Sequence, residues 1–494
     1  MTRLPSIRLT SLKLRLPWVH EVELAPDQAE RAAAWALYVE LVARVVELVR
    51  RVALQHVVTS RAVPPRRPGA ARAAGFALAS LLLAAACRDA TGPDPVTTPA
   101  RPDAGAGDLA AVTAGYSVTC ALDQAGRPYC WGLNFRGELV AGDTATFLTR
   151  PTPVAGIPAP LQAIAAGGDH QCALAADGRA YCWGTNLFGQ LGTGATSTGI
   201  GTRAPGPAPV AGGLVFRSIS AGFSHTCAVT AAGAAYCWGA NAYGQLGAGA
   251  GAPCDYTDPV RCVAAVPVPV AGGLVFRQVS VGRWHTCGVT ADDVAYCWGH
   301  NQDGELGDPT VPIQCGAFPE RAACLRDVPV PIAGGLRFRQ VAAGGLHSCG
   351  LTTAGAAYCW GLVTGDAAIG AYELGNPAVL GSPSGPRGSR VPVAVEGGLT
   401  FSDIAVGTSG SCALTAAGRA VCWGSNNFGQ MGVGGTDPTA STRPLAVGMP
   451  AAAAAPVPTE DDHVCALTTT GRIWCWGGDN YFCEHIMLPL SASG

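Results

Sequence analysis

The fold is decided by one stretch of sequence, Ser224-His225-Thr226-Cys227 through Tyr236-Cys237-Trp238-Gly239, which ends at Gly244-Gln245-Leu246-Gly247. Its central pattern is a pair of cysteines separated by nine residues, the second followed by Trp-Gly. The pattern occurs seven times: Cys120 with Cys130, Cys172 with Cys182, Cys227 with Cys237, Cys287 with Cys297, Cys349 with Cys359, Cys412 with Cys422, and Cys465 with Cys475. Successive first cysteines lie 52, 55, 60, 62, 63 and 53 residues apart. A period of about 50 residues predicts a propeller or solenoid array.

Each copy is predicted to contain a tight β-hairpin. If Cys227 faces Cys237 on adjacent strands, a three-residue loop that ends at Gly233 remains between them. Such loops often end in a left-handed conformation, which costs glycine least. Six copies have glycine at this position, and the fourth has Asp293, a residue type that tolerates the conformation. Facing cysteines can reach disulfide distance, so each of the seven pairs is expected to form a cross-strand disulfide.

The composition favours a fold of many short strands, and the cysteine content favours an oxidising compartment. The chain has 494 residues with 66 Gly, 37 Pro and only 13% charged residues, too little charge for long surface helices. Its 20 cysteines recur in an even pattern, as expected where disulfides persist. A spacing of nine residues is not the short chelate spacing of a zinc site, so disulfides are favoured over metal ligands.

The repeat resembles that of the regulator of chromosome condensation family. The resemblance rests on Gly-x-x-His-[Thr/Ser]-Cys, Tyr-Cys-Trp-Gly-x-Asn and Gly-[Gln/Glu]-Leu-Gly, and it covers roughly residues 108–480. It implies an all-β fold, a seven-bladed β-propeller in residues 108–494. We further expect the segment Ile486-Met487-Leu488-Pro489-Leu490 to complete the first blade, because a shared strand would close the ring and remove an exposed edge.

Two residue types recur beside the cysteines, and both are interpreted as structural. Histidine stands two places before the first cysteine in five copies, as His170, His225, His285, His347 and His463, whereas Val118 and Gly410 take its place in the other two. Tryptophan follows the second cysteine in every copy, as Trp131, Trp183, Trp238, Trp298, Trp360, Trp423 and Trp476. The alternatives are a metal-binding ring of imidazoles and an exposed stacking platform, and both are disfavoured. We predict no catalytic, cofactor-binding or metal-binding residue.

Segments that differ between copies are the better candidates for function. The connections after Leu246, Leu306 and Trp360 are longer than their counterparts, and the third runs from Leu362 to Arg390. Two of them contain an extra cysteine pair predicted to form a disulfide, Cys254 with Cys262 and Cys315 with Cys324. Insertions at one repeat position should cluster on one face, where loops on a rigid scaffold often bind partners. Tolerated insertions without a partner are an equal alternative.

The N-terminal region resembles an export signal. Residues 1–60 contain an amphipathic helical pattern over 27–58 and are interpreted as an extension or a misassigned start. Residues 61–87 combine basic residues, a short apolar run and Ala84-Ala85-Ala86-Cys87, as in a secretory signal that ends in a lipobox. The resemblance implies lipidation at Cys87, and residues 88–107 form a Pro-rich tether. Cys483 then has no assigned partner.

Charge and motifs limit the possible functions. Residues 88–494 carry 20 basic and 28 acidic side chains, so their net charge of −8 disfavours nucleic-acid binding. The primary hypothesis is a monomeric, membrane-anchored or secreted lipoprotein of the bacterial cell envelope whose propeller binds a protein or a glycan. The alternatives are a secreted carbohydrate-active enzyme, or a guanine-nucleotide exchange regulator as the family name implies. Clustered carboxylates on one face would favour the enzyme, and an aromatic-rimmed face would favour binding.

Overall fold

The structure is a computed structural model that describes most of the repeat region. The described residues are 12–16, 19–24, 109–116, 118–134, 139, 147–158, 160–197, 206–251, 254, 262–313, 323–364, 372–380, 387–434, 439–449, 453–458, 463–477 and 488–490. The chain divides into two compact units, Met1–Pro93 and Asp94–Gly494. Among the described residues, no helix is both long enough and apolar enough to cross a bilayer.

The first unit contributes one described hairpin. Strands β1 (Leu12–Leu16) and β2 (Val19–Leu24) pair antiparallel. The predicted helix over 27–58, the signal segment 61–87 with Cys87, and the tether 88–107 lie outside the described residues, as does Cys483. These assignments stay predictions.

The second unit contains seven antiparallel four-stranded sheets, in each of which the strands follow chain order. The first three sheets consist of β3 (Leu109–Ala114), β4 (Val118–Asp123), β5 (Pro128–Leu133) and β6 (Phe147–Pro153); β7 (Leu161–Ala166), β8 (His170–Ala175), β9 (Ala180–Gly184) and β10 (Ala208–Pro209); and β11 (Phe216–Ala221), β12 (His225–Thr230), β13 (Ala235–Ala240) and β14 (Val263–Pro269). This is the arrangement of blades in a β-propeller.

The other four sheets repeat the same order. They consist of β15 (Phe276–Val281), β16 (His285–Thr290), β17 (Ala295–His300) and β18 (Leu325–Pro331); β19 (Phe338–Ala343), β20 (His347–Thr352), β21 (Ala357–Thr364) and β22 (Arg387–Ala394); β23 (Phe401–Val406), β24 (Gly410–Thr415), β25 (Ala420–Ser425) and β26 (Ala440–Ala446); and β27 (Ala453–Pro458), β28 (His463–Thr468), β29 (Ile473–Gly477) and β30 (Leu488–Leu490). Short 3-10 turns occupy Gly249–Gly251, Tyr372–Leu374 and Pro377–Leu380.

The hairpins have the predicted register. Cys227 lies opposite Cys237 on the neighbouring strand, and the loop glycine Gly233 adopts a φ of +85°. Asp293 adopts a φ of +65° at the same position.

The cross-strand disulfides link the second and third strands of every sheet. Each has a sequence separation of 10, and the paired Cα atoms lie 4.0–4.1 Å apart. The bonds join Cys120 to Cys130, Cys172 to Cys182, Cys227 to Cys237, Cys287 to Cys297, Cys349 to Cys359, Cys412 to Cys422, and Cys465 to Cys475. Each of these cysteines therefore links two strands within its own blade and is not available as a metal ligand.

The core lies between blades rather than within them. Leu246 of the third blade and Trp298 of the fourth belong to one buried cluster, and Leu306 packs with Trp360 in the next. Six blades insert one buried apolar residue of this kind, from the connection between their third and fourth strands: Leu139, Leu191, Leu246, Leu306, Leu374 and Met431. Each joins a cluster with a tryptophan of the following blade.

The prediction of a seven-bladed propeller is therefore wrong. Six blades are complete in the sense that they combine four strands with the buried leucine or methionine. The seventh sheet has no Gly-[Gln/Glu]-Leu-Gly sequence after Gly477, so no such leucine or methionine follows its third strand. Because the sequence lacks this apolar anchor, Trp131 packs instead in a smaller cluster with Leu109, Leu467 and Ile473.

The predicted closure through a shared strand is also wrong. Strand β30 pairs with β29, so the C-terminal strand completes the last sheet and not the first. The Pro-x-Pro-Val segment at the start of a sequence copy forms the outer strand of the preceding blade, as β14 shows. The first blade therefore already has four strands of its own, beginning with β3 at Leu109, and needs no strand from the C-terminus. The last sheet meets the first through side-chain packing and through a hydrogen bond from Leu109 N to Gly471 O, 3.0 Å.

Candidate binding face

The repeated histidine connects neighbouring blades through a hydroxyl group. His225 Nε2 lies 2.9 Å from Thr286 Oγ1, and that hydroxyl donates to Gln245 O at 2.9 Å. The indole Nε1 of Trp298 donates to the same carbonyl at 3.0 Å. Since the hydroxyl proton is already used, His225 donates from Nε2. Equivalent contacts join His170 to Thr226, His285 to Ser348 and His347 to Ser411, at 2.7–2.8 Å.

These imidazoles are held neutral by burial. His170, His225, His285 and His347 are fully buried. Burial lowers the pKa of His170, His225 and His347 to about 3, and that of His285 to about 4. The side chain of His463, whose pKa burial lowers to about 4, lies 3.4 Å from Thr119 Oγ1 of the first blade. Each histidine lies at a different blade boundary, so the structure does not bring them together as ligands.

Of the two boundaries without this histidine, the one after the sixth blade differs on both sides. Gly410 stands in place of the histidine, and the facing hydroxyl is replaced by Val464 of the next blade. A small cavity lined by Gly410, Ser411 and Val464 lies there. The repeated tryptophans are 0–7% exposed, so they do not form a surface platform.

Residues that differ between copies meet at one edge of the blades, which we name the turn face. It is formed by the turns between the first and second strands together with the connections between the third and fourth strands, as the hydrogen bond from Ala240 N to Ser224 O shows. The Arg283 guanidinium carbon lies 4.5 Å from the Trp284 ring and 5.2 Å from the Phe223 ring. The Phe223 ring is 6.0 Å from Tyr116. These four residues form the aromatic–arginine cluster.

Glycine at one turn makes room for this cluster. A Cβ at Gly168 would lie 2.6 Å from Phe223 O and 3.0 Å from its ring carbon Cδ2. Tyr116 is 36% exposed, and Phe188 and Phe428, on third-to-fourth-strand connections, are 37% and 39% exposed. The turn face therefore presents aromatic rings to solvent.

The long connections belong to the same face. The chain leaves β13 at Ala240 and returns at Val263, and Cys254 forms a disulfide with Cys262 in between. Cys324 is also disulfide-bonded, while its predicted partner Cys315 lies outside the described residues.

The fourth blade's long connection contacts the outer strand of the fifth blade. Arg390, in β22 where the fifth connection ends, donates to Pro309 O and, at 2.7 Å, to Val311 O of the fourth. The fourth connection is thus held against the neighbouring blade on the turn face.

Two buried carboxylates replace the glutamine of the Gly-Gln-Leu-Gly sequence. Glu305 accepts a 2.6 Å hydrogen bond from His300 Nδ1, and although burial opposes ionisation, the charge and hydrogen bond of His300 lower its pKa. No histidine stands beside Glu373, and burial raises its pKa to about 8. The centroid of the His300 ring lies 5.0 Å from that of Tyr243 and 5.5 Å from that of Trp284, both in edge-to-face arrangements.

Sequence reasoning did not single out these residues. Arg283, Trp284 and His300 lie within or beside the repeat motif but depart from what other copies have there, whereas Glu305 and Glu373 fall under the Gln/Glu alternative of the motif. Position-by-position comparison of the copies could have found them. The repeated histidines and tryptophans that drew attention in the sequence lie inside the blade boundaries.

Comparison with known proteins gives a consistent result. The RCC1-like domain model matches residues 84–377, and the RCC1 repeat model matches 401–430 and 461–483. The ultraviolet-B receptor UVR8 of Arabidopsis thaliana is 29% identical over 389 residues, which is 78% of this chain and 79% of that protein.

Two solved structures share the fold. Human WBSCR16 has a TM-score of 0.62 at 21% identity and covers 77% of this chain and 94% of its own. Yeast RCC1 (Prp20), solved bound to Kap60, has a TM-score of 0.58 at 18% identity and covers 81% and 90%.

Proposed function

The chain belongs to the RCC1-like propeller family, and on that premise we propose that it is an exported, lipid-anchored scaffold whose turn face binds another protein. The single observation that carries this proposal is the aromatic–arginine cluster. It is built on the rigid turns of three blades and lies on the face to which the long connections belong.

The composition of the cluster suits a protein partner. Arginine and aromatic residues dominate the binding energy of protein interfaces, because they bury large rigid surfaces and still offer polar groups. The Arg283 guanidinium is held by two rings, so little side-chain entropy is lost on binding. Within the family, yeast RCC1 has been solved in complex with another protein, Kap60.

The compartment is proposed from the disulfides and the N-terminal sequence. Every cysteine in the described part of the chain is oxidised, and such bonds persist in secreted and envelope proteins. Cys87 would carry the lipid. Mass spectrometry of protein purified from a bacterial membrane tests this, because the mature N-terminus should be Cys87 with an attached diacylglyceryl group. A membrane-bound chain that retains residues 61–86 would contradict the proposal.

Site-specific cross-linking tests the binding face. A photoreactive phenylalanine at Tyr116 of the full-length exported chain should form cross-links to one protein in intact cells of the source organism. The same group at Val275, 52% exposed among the loops of the opposite edge, should not. Arg283→Ala should abolish the cross-link at Tyr116. Arg179→Ala, at an exposed arginine of the opposite hairpin loops, is the matched control.

The alternatives predict different results. A glycan receptor would be retained on a cell-wall or polysaccharide matrix and would give no protein cross-link. A guanine-nucleotide exchange regulator would cross-link to a small GTPase in the cytoplasm. Equal cross-linking from Tyr116 and Val275 would show that the turn face is not the binding surface.

A further inference from the structure

The edge of the blades opposite the turn face forms a second surface, which we name the hairpin face. It comprises the loop between the second and third strands of each blade, the connection to the next blade, and the second residue of the next first strand. Backbone hydrogen bonds join these parts, for example from Phe276 N to Gly233 O and from Phe338 N to Asp293 O, both at 2.8 Å. The hairpin face is therefore built on the blades themselves and not on the long insertions.

Three neighbouring blades place an arginine at the same position of this face. Arg217, Arg277 and Arg339 follow the buried phenylalanine that begins the first strand of the third, fourth and fifth blades. Each is the extra residue of a β-bulge, because the register against the second strand shifts at that point. The other sheets have Ala110, Gln162, Ser402 and Ala454 at this position. The fold therefore does not require arginine there.

The next blade holds each of these guanidinium groups in place. Arg217 Nη2 donates to Phe276 O at 2.8 Å and to Arg277 O at 3.2 Å. Arg277 and Arg339 donate to the first strand of the following blade in the same way, at 2.6–3.2 Å. The three side chains thus form a row across consecutive blades, which we name the arginine arc. Because backbone carbonyls already fix the guanidinium groups, little side-chain entropy is lost when they bind an anion.

The positive charge of the arginine arc is only partly neutralised. Arg277 pairs with Asp293 at 2.7 Å. Among the described residues, the printed contacts of Arg217 and Arg339 are all with backbone carbonyls and none is with a carboxylate. Two of the three guanidinium groups therefore keep their full charge.

The rest of the hairpin face is also more basic than acidic. Arg337 lies in the connection that precedes Arg339, and four hairpin loops end in Arg127, Arg179, Arg419 and Arg472. The carboxylates of the face are Asp123, Asp177, Asp292, Asp293 and Glu396. Its described residues thus include eight arginines and five carboxylates, whereas residues 88–494 together have a net charge of −8. The hairpin face is a positive surface on an acidic protein.

Aliphatic side chains project from the same face. Val215 and Val275 are 52% exposed, and Leu399 is 40% exposed. All three follow paired glycines in the connections between blades. A Cβ added at Gly213 or Gly273 would meet no atom within 4 Å, so these connections stand clear of the blades. Exposed aliphatic tips therefore lie beside the arginine arc.

From this combination we propose that the hairpin face docks onto an anionic phospholipid surface. Arginines meet the headgroup phosphates, and the aliphatic tips enter the boundary with the acyl chains. Tips at one repeat position lie at similar heights, which suits a flat bilayer. A protein or glycan site would favour aromatic residues. The large aromatic side chains exposed in the described part of the chain, Tyr116, Phe188 and Phe428, belong to the turn face instead.

Docking through the hairpin face leaves the turn face free. The two faces lie at opposite ends of the blades, so the aromatic–arginine cluster points away from the bilayer and stays open to a protein partner. The inference goes beyond the proposed function and uses neither Cys87 nor the cluster. Its failure would leave the cross-link from Tyr116 unaffected, and the absence of that cross-link would leave vesicle binding unaffected.

Vesicle co-sedimentation of the oxidised full-length chain tests the docking, with Cys87→Ser present to prevent lipidation. Vesicles that contain phosphatidylglycerol should bind the protein more tightly than vesicles of phosphatidylcholine alone, and added salt should weaken this binding. Arg217→Gln/Arg339→Gln should lower the affinity for the anionic vesicles about 30-fold, since each arginine near such a surface contributes about fivefold. Gln162 occupies this position in the second blade, so the variant should keep the parent's disulfides and melting temperature.

A second double variant, Arg326→Gln/Arg390→Gln, is the matched control. It removes the same charge from the turn-face ends of two outer strands and should leave vesicle binding unchanged. An equal loss in the control would show that only net charge matters, and would overturn the proposal. Equal binding of the parent to both kinds of vesicle would overturn it as well.

The aliphatic tips separate a bilayer from other anions. Val215→Ser/Val275→Ser should lower the affinity for anionic vesicles at least about tenfold, because the tips no longer bury apolar surface. The sixth blade has the polar Thr400 at this position, so the fold should accept the change. Unchanged vesicle affinity in this variant, with equally tight binding of soluble polyglutamate by the parent, would assign the face to a dissolved polyanion and overturn the docking.

Discussion

His225 and Thr286 belong to adjacent blades, yet the imidazole Nε2 lies 2.9 Å from the threonine hydroxyl in a fully buried contact. The residues are separated by 61 positions in the sequence. The hydroxyl donates its own hydrogen bond to Gln245 O, so three groups from two blades form one chain of hydrogen bonds. Similar chains at neighbouring boundaries make the polar part of the core as repetitive as the apolar part.

Thr286→Val should destabilise the fold by about 1–3 kcal/mol, because the buried Nε2–H of His225 loses its acceptor. The carbonyl of Gln245 keeps its hydrogen bond from Trp298 and contributes little to the loss. The free energy of unfolding, from denaturant titration of the oxidised protein, measures the effect.

A double-mutant cycle separates the hydrogen bond from general packing. Another blade boundary combines Val464 with Gly410, so valine is accepted when no imidazole faces it. His225→Val/Thr286→Val should therefore cost at least about 1 kcal/mol less than the sum of the two single variants. Additive losses would show that the contact contributes nothing beyond packing.

Acid should destabilise the propeller well before its carboxylates titrate. The buried histidines have pKa values of about 3 to 4, against about 6.5 in an unfolded chain. A depressed folded-state pKa means that the stabilising contribution is complete above pH 6.5. It is then lost as the pH falls towards 3, since the unfolded state alone takes up protons. Each histidine should contribute a slope of about 1 kcal/mol per pH unit in that window.

Melting temperatures between pH 7.5 and pH 4.5 measure this dependence. The decline should begin near pH 6.5, and it should be shallower in His225→Gln, which removes one titrating group. A melting temperature that is constant from pH 7 to pH 5 would contradict the assignment of neutral, buried imidazoles.

Glu373→Gln should stabilise the protein at neutral and alkaline pH. Burial raises the pKa of Glu373 to about 8, whereas an unfolded glutamate titrates near 4.5. With a raised pKa, the favourable contribution is present below pH 4.5 and is lost as the pH rises towards 8. Glutamine does not ionise, and it occupies this position as Gln190, Gln245 and Gln430. The gain at pH 8 should be on the order of a few kcal/mol and should vanish near pH 4.5.

Glu305→Gln is the matched control for this change. Glu305 occupies the same repeat position but is paired with His300, so its replacement should give no gain at pH 8. Denaturant titrations of the parent and both variants at pH 5 and pH 8 make the comparison. Equal effects of the two substitutions would show that the missing histidine partner is not the cause.

Much of the local structure could be predicted from the sequence because it depends on neighbouring residues. The Cys227–Cys237 register and the left-handed Gly233 follow from spacing and loop chemistry. Placement of the insertions on one face follows from their common repeat position. Arg390 of the fifth blade does contact Val311 of the fourth.

The wrong predictions concern features that depend on contacts between distant parts of the chain. A sequence copy begins with the outer strand of the preceding blade, and a strand pattern alone does not show to which sheet that strand belongs. The segment Leu488–Leu490 was therefore assigned to the wrong sheet. The aromatic–arginine cluster was missed for a similar reason. Tyr116, Phe223 and Arg283 come from three copies and look like unrelated turn residues until the blades are placed side by side.

Gly282→Ala should be among the most damaging single substitutions in the protein. A Cβ at Gly282 would lie 2.4 Å from Gly344 O of the next blade. The obstacle is backbone, so relief requires two blades to move apart, and we expect a loss above about 3 kcal/mol or a failure to fold. The same restriction holds at Gly167 and Gly222, where a Cβ would lie 2.4 and 2.2 Å from the carbonyl oxygen of the next blade.

Gly251→Ala provides the matched control. A Cβ there would meet no atom within 4 Å, and the φ of Gly251 lies outside the left-handed region. This variant should keep the stability of the parent to within about 0.5 kcal/mol. The yield of oxidised protein and its melting temperature compare the two variants directly. If Gly282→Ala folds with an unchanged melting temperature, close backbone contact between blades cannot be what restricts these positions to glycine.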